Sequence, residues 1–147
     1  MKIASLKNLF ITASILVAAA SGIAHAHSGG GVIDPNGDNP SATILAAVNC
    51  TGGSDYLLAQ VRDESAPVPG LLLSLHVYKG QKMTSITDTV SGDAFHSPEI
   101  RLDGGDGQYL MSLTKTNAGA RNFDVIWHCM SNSGVHTDTD ISVYQIQ

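Results

Sequence analysis

The stretch FDVIWHCM, Phe123 to Met130, decides the fold. Read with a period of two, it places Phe123, Val125, Trp127 and Cys129 on one face and Asp124, Ile126, His128 and Met130 on the other, the pattern of a half-buried β-strand. The first face carries the only tryptophan of the chain, two residues from one of its only two cysteines. An indole and a sulfur on the apolar side of a strand belong to an interior.

The other cysteine lies on a strand of the same kind. From Ala42 to Cys50 the residues Ala42, Ile44, Ala46, Val48 and Cys50 share one face. Two inward cysteines on separate strands suit a buried disulfide, with a pair of buried free thiols as the alternative. Closing a loop of about 80 residues contributes roughly 4 to 5 kcal/mol in the chain-entropy model. Asn49-Cys50-Thr51 also fits a glycosylation sequon, which a buried bridge alongside reduces to a chance match.

A disulfide persists in an oxidising compartment, and the first residues supply a route to one. Lys2 and Lys7, an apolar run from Leu9 to Ala20 and the small-residue site Ala24-His25-Ala26 describe a secretory signal peptide over residues 1–26. The run is shorter than the roughly 20 apolar residues that span a bilayer. No later stretch approaches that length, so a secreted or periplasmic protein without a membrane anchor is expected. The chain has a formal net charge of −5, and loss of the two leader lysines makes the remainder more acidic. Nucleic acid and anionic lipid need a positive patch and are poor partners for it.

Residues 27–40, HSGGGVIDPNGDNP, contain Gly, Pro, Asn and Asp with one apolar pair, Val32 and Ile33, and read as a flexible arm. Asp34, Asn36 and Asp38 alternate as at the start of a calcium loop, but Asn39 stands where Gly is needed and Leu45 where Glu is needed. A turn-rich linker is the better reading. Residues 41–147 form one domain.

Within that domain alternation recurs at about ten-residue spacing. Leu57, Ala59 and Val61 share a face, as do Leu71, Leu73, Leu75 and Val77, and again Tyr109, Met111 and Leu113. Lys79 to Val90 is polar and Thr-rich, suiting an edge strand with a loop. Ile100 and Leu102 mark a short strand, and His136 to Ile146 the last one. Seven or eight strands without helical periodicity predict an all-β sandwich.

The segment LLAQVRDESAPVPGLLLSLHVYKG, Leu57 to Gly80, with TDTVSGDA, Thr87 to Ala94, resembles the bacterial immunoglobulin-like domains of invasins and related surface proteins. Val61, Asp63, Pro67, Val68, Gly70, Thr87, Asp88, Gly92 and Ala94 occupy comparable places, with DTVSGDA one residue longer than the usual spacing. Asp106-Gly107-Gln108-Tyr109 resembles the tyrosine-corner region of such sandwiches. The likeness covers about 60 residues and implies an immunoglobulin-like β-sandwich serving as a spacer, adhesin or binding module. The Cys50 to Cys129 bridge and the lack of a tandem array depart from that pattern and argue against a pure spacer.

Motifs for chemistry are sparse. There is no G-x-S-x-G, H-E-x-x-H, P-loop or C-x-x-C, and with both cysteines bridged no thiol nucleophile remains. Asp103 and Asp106 fall in a Gly-rich turn and read as turn residues. A non-enzymatic surface module for binding, adhesion or structure, with a protein or surface ligand as partner, is therefore expected.

The alternative is a copper- or zinc-binding protein. Pairing the last two strands as a hairpin whose residue numbers sum to 264 sets His128 opposite His136 and Asp124 opposite Asp140, with Asp138 between. Those side chains would then line one outer surface, and imidazole suits Cu(II), Zn(II) and Ni(II). His27, if it begins the mature chain, adds an amine and a ring nitrogen. His76 and His96 have less to recommend them. A second expectation is self-assembly through the arm at residues 27–40, by strand addition to a neighbour, or an apolar patch of Leu72, Tyr78, Leu110 and Ile126. Capping of the domain's own edge by the arm is the simpler alternative.

Overall fold

The computed structural model describes residues 27–147; the expected signal peptide and its cleavage site lie outside the described residues. Nine strands form: β1 His27–Ile33, β2 Thr43–Thr51, β3 Tyr56–Asp63, β4 Leu73–Lys79, β5 Lys82–Asp88, β6 Ile100–Asp103, β7 Gly107–Lys115, β8 Arg121–Met130 and β9 Asp138–Ile146. They make two antiparallel sheets, β1-β8-β3-β6 and β5-β4-β7-β2-β9. The fold is an all-β sandwich with nine strands, where seven or eight are expected from the alternation.

The apolar faces meet as their periodicity requires. Val48, Val61, Leu73, Leu75, Val77, Tyr109, Phe123, Val125 and Trp127 are all buried in one cluster between the sheets. Cys50 of β2 and Cys129 of β8 are bonded across it, their Cα atoms 5.5 Å apart, so the disulfide ties one sheet to the other beside Trp127. Tyr109 donates its hydroxyl to the carbonyl of Gly105 at 2.9 Å, fixing the Gly-rich turn at the start of β7. Its burial pushes the phenol up to about 12, with Asp103 and Asp106 adding to the effect.

A polar cluster closes one end of the sandwich. Arg121 Nε donates to Asp63 Oδ2 at 2.9 Å, and its Nη1 donates to the Ala66 carbonyl. The Asp63 amide donates to Asp88 Oδ2 at 2.7 Å, and the Gly92 amide to the Asp63 carbonyl at 2.7 Å. Gly92 has φ 78°, and a β-carbon there would stand 2.9 Å from the Ser65 carbonyl oxygen. Only glycine suits such a position. Asp63, Asp88 and Gly92, three residues behind the sequence resemblance, thus lock the β3 and β5 ends together.

The segment read as an arm behaves differently from a loose tail. His27–Ile33 pairs residue for residue with β8, from His27 opposite Trp127 to Ile33 opposite Arg121, and so caps the domain's own sheet. Glycine has little strand propensity, yet here it is accommodated by what it lacks. Gly29 and Gly31 pair with Val125 and Phe123, and their absent side chains leave room for the Trp127 and Phe123 rings.

The last strand does not form the expected hairpin. Ser131 to Val135 makes a tight turn and Met130 bridges His136, a pairing that sums to 266 and not 264. The Thr137 amide then donates to the Cys129 carbonyl at 2.9 Å, and from Asp138 onward the chain pairs with β2 in the other sheet. Ile141 and Val143 lie on the inward face, as their parity requires, opposite Val48 and Ala46. Parity alone does not choose between the sheets, because both offer an inward face of the same parity.

Candidate functional site

The two terminal strands β1 and β9 are the edges of opposite sheets on the same side of the sandwich, and the core is open between them. At its two central inward positions β1 presents Gly29 and Gly31, whose missing side chains leave the gap to β9 unfilled. In β9 a bulge between Leu45 and Ala46 of its partner leaves Tyr144 as the extra residue, with Ala46 opposite Val143 and Ile44 opposite Ile146. Val143 and Ile146 therefore point to the core side but stay 54% and 66% exposed.

The result is an apolar slot of about 170 Å³. Gly29 and Gly31 form one lip, Val143 and Ile146 the other, and Phe123, Trp127 and Met111 its floor. An apolar cavity of about 150 Å³ in a protein interior stays dry and takes up benzene-sized molecules. Trp127 turns the benzo edge of its indole to Gly29, and its ring nitrogen is buried without an acceptor. Both ends of the slot are tied. The disulfide and the Thr137 crossover hold the Trp127 end, and the Asp34 amide donates to the Gln147 carbonyl at 2.8 Å at the other.

The structure separates the expected metal-binding set into parts. Asp138 pairs with Thr51 and Asp140 with Asn49, both on the outer face of the five-stranded sheet. Asp124 lies on the outer face of the four-stranded sheet, 2.9 Å from His96 Nε2 and 4.0 Å from Arg62. The carboxylates thus face opposite ways, because β9 crosses to the other sheet instead of returning along β8. Among the described residues no group of three or more His, Cys, Asp or Glu side chains is placed to hold a metal ion.

The histidines fare differently. The rings of His128 and His136 meet edge to face with centroids 4.7 Å apart. His128 Nδ1 is buried without a hydrogen-bond partner. Burial lowers the His128 pKa, and the charges of His136 and His27 lower it further. His27 stacks its ring on Trp127 at 6.2 Å, opposite it in register and on the inward face, whereas His128 points outward.

Other candidate groups have structural roles. Asp34 accepts from the Asp38 and Asn39 amides and from Lys115, which leaves its carboxylate to a turn and not to calcium. Asp106 accepts from the Ser54 and Gly53 amides, which hold its carboxyl below the usual range. Asp103 is bound by Arg101. The His96–Asp124 pair has Ser97 as chain neighbour, but that hydroxyl accepts from the Val61 amide and donates to the Pro98 carbonyl. The expected apolar patch divides too: Tyr78 pairs with Leu110 on one outer face, and Ile126 lies on the other sheet.

Sequence reasoning missed the slot because its cause is an absence of side chains at Gly29 and Gly31 together with a bulge. The one signal available was the glycine triplet beside Val32 and Ile33. No protein-family model, curated protein or solved structure matches the chain.

Proposed function

We propose that the chain is an exported, non-enzymatic, immunoglobulin-like module that binds its ligand or partner by taking a slender apolar group into the slot between β1 and β9. The single observation that carries this reading is the open apolar slot at the side of an otherwise closed core. Binding sites are typically concave, apolar and preformed, and an apolar surface left uncovered at the edge of a core is costly unless something occupies it.

The immunoglobulin-like part of the reading is supported by topology. Strands β2, β7 and β4 stand side by side facing β3 and β8, with a disulfide from β2 to β8, as the B, E and D strands face C and F in immunoglobulin domains. The terminal strands are exchanged relative to that plan: the first strand pairs with β8 and the last with β2. Export is supported by the disulfide, which needs an oxidising compartment.

The test uses benzene and n-hexanol as probes and the fluorescence of Trp127, the sole tryptophan, as the reporter. Saturable changes are expected in the native protein. Gly31→Val fills the slot, and a β-carbon there meets the Phe123 ring only at an ordinary 3.5 Å, so this variant should fold and lose the response. An unsaturable response, or one that survives in a folded Gly31→Val protein, overturns the reading.

A further inference from the structure

The pair His128 and His136 carries an inference independent of the slot. The two residues lie eight positions apart, near the end of β8 and on the corner that leads into β9. The Met130–His136 bridge and the Ser131 to Val135 turn hold that corner in register. The backbone hydrogen bonds thus set His136 opposite Met130 and diagonal to His128, with both imidazoles on one face.

The separation of the rings is the informative quantity. An imidazole nitrogen binds a first-row divalent ion at about 2.0 to 2.1 Å, which with a ring radius of about 1.2 Å puts each centroid about 3.2 Å from the metal. Two such rings subtending about 90° to 110° at one ion have centroids roughly 4.5 to 5.2 Å apart. The observed 4.7 Å falls inside that interval. The rings are also tilted by 68° to each other, so they are not stacked face to face. His128 Nδ1 is shut away from water, so Nε2 is the ring nitrogen left to an incoming ion.

We propose that His128 and His136 form a two-imidazole seat for a divalent transition-metal ion, Cu(II) ahead of Ni(II) and Zn(II). The order follows the general rise of affinity to copper for nitrogen ligands. Asp124 is held by His96 and Arg62, and Asp138 and Asp140 face the other way, so the protein supplies no carboxylate. The remaining coordination positions are open, which makes the ion exchangeable and its binding micromolar rather than tight.

The experiment titrates CuCl₂ and, separately, ZnCl₂ into the purified protein. Cu(II) bound at His128 stands next to Trp127 and should quench its fluorescence saturably, and electron paramagnetic resonance should report two nitrogen ligands. His128→Asn and His136→Asn should each weaken binding at least tenfold, while His76→Asn leaves it unchanged; circular dichroism checks that each variant is folded. Zn(II) should compete for the same sites. Equal binding by native protein and both variants overturns the site as adventitious. Loss on His27→Asn alone, with His128→Asn and His136→Asn unaffected, overturns it equally, because the ion would then sit at the start of β1.

Discussion

Lys115 Nζ lies 2.7 Å from Asp34 Oδ2, with both side chains sealed from water. Burial works against the Asp34 charge, but Lys115 and the Gly119 and Asn39 amides outweigh it and hold the carboxyl far below the usual carboxylate range. A carboxyl lowered in the folded state stabilises the fold above its unfolded pKa of about 3.9, and that contribution is lost as pH falls toward the folded value. Lys115→Met should therefore lower the melting temperature at neutral pH and flatten the fall in stability below about pH 4. Melting curves of both proteins from pH 2 to 7 test it; parallel profiles would refute the coupling.

Arg121 is the largest fully buried side chain among the described residues and is paired with Asp63 at 2.7 Å. Arg121→Met leaves the Asp63 charge in the interior, so a loss of about 3 to 5 kcal/mol is expected. Urea unfolding measures it. A loss below about 1 kcal/mol, the range of exposed pairs, would contradict the burial.

The Cys50–Cys129 bridge closes a loop spanning 79 residues. Replacing both cysteines by alanine should cost about 4 to 5 kcal/mol by the chain-entropy argument. Trp127 should also become more accessible to a fluorescence quencher, since the bridge holds the two sheets together beside it. Unchanged stability under reducing and oxidising conditions would show that the bridge contributes nothing.

His128 predicts a second pH dependence of its own. Burial is the first reason its imidazole is harder to protonate when folded, so the neutral form is favoured. The unfolded chain then binds more protons, and stability is lost as pH falls through about 6.5 toward the lowered folded value. His128→Asn should remove that step. Comparing melting temperatures at pH 7.5 and 5.5 decides the point, since the native protein should lose more than the variant.

The three glycines of β1 should not be interchangeable. A β-carbon at Gly30 would stand 2.7 Å from the Phe123 carbonyl oxygen, whereas at Gly29 and Gly31 it would meet aromatic rings at 3.4 and 3.5 Å. Gly30→Ala should loosen the pairing of β1 with β8 and speed hydrogen exchange along both strands. Gly29→Ala and Gly31→Ala should leave exchange nearly unchanged. Equal exchange in all three variants would mean that β1 shifts freely to absorb the clash.

How much of this was legible in the sequence depended on whether side chains or backbone carried the message. β2, β3, β4, β7 and β8 announce themselves because each puts a full apolar row into the core, and Cys50 and Cys129 sit on two of those rows. β1 is silent, since Gly29, Gly30 and Gly31 give no alternation to read. For β9 the parity of Ile141 and Val143 identified the inward face, but the choice of sheet rests on a single crossing at Thr137. That crossing dispersed Asp124, Asp138 and Asp140 while still bringing His136 to His128. The proximity was anticipated by an incorrect register, one pair away from the real bridge at Met130.

The tethering of the slot at both ends limits how its lips can part. With the disulfide at one extremity and the Asp34 to Gln147 hydrogen bond at the other, the sheets cannot peel apart from a corner. They can only gape at mid-span, where the lips are glycine on one side and valine on the other. A guest of the kind proposed would then be selected by girth and not by length, and bulky or branched ones would be refused where thin ones fit.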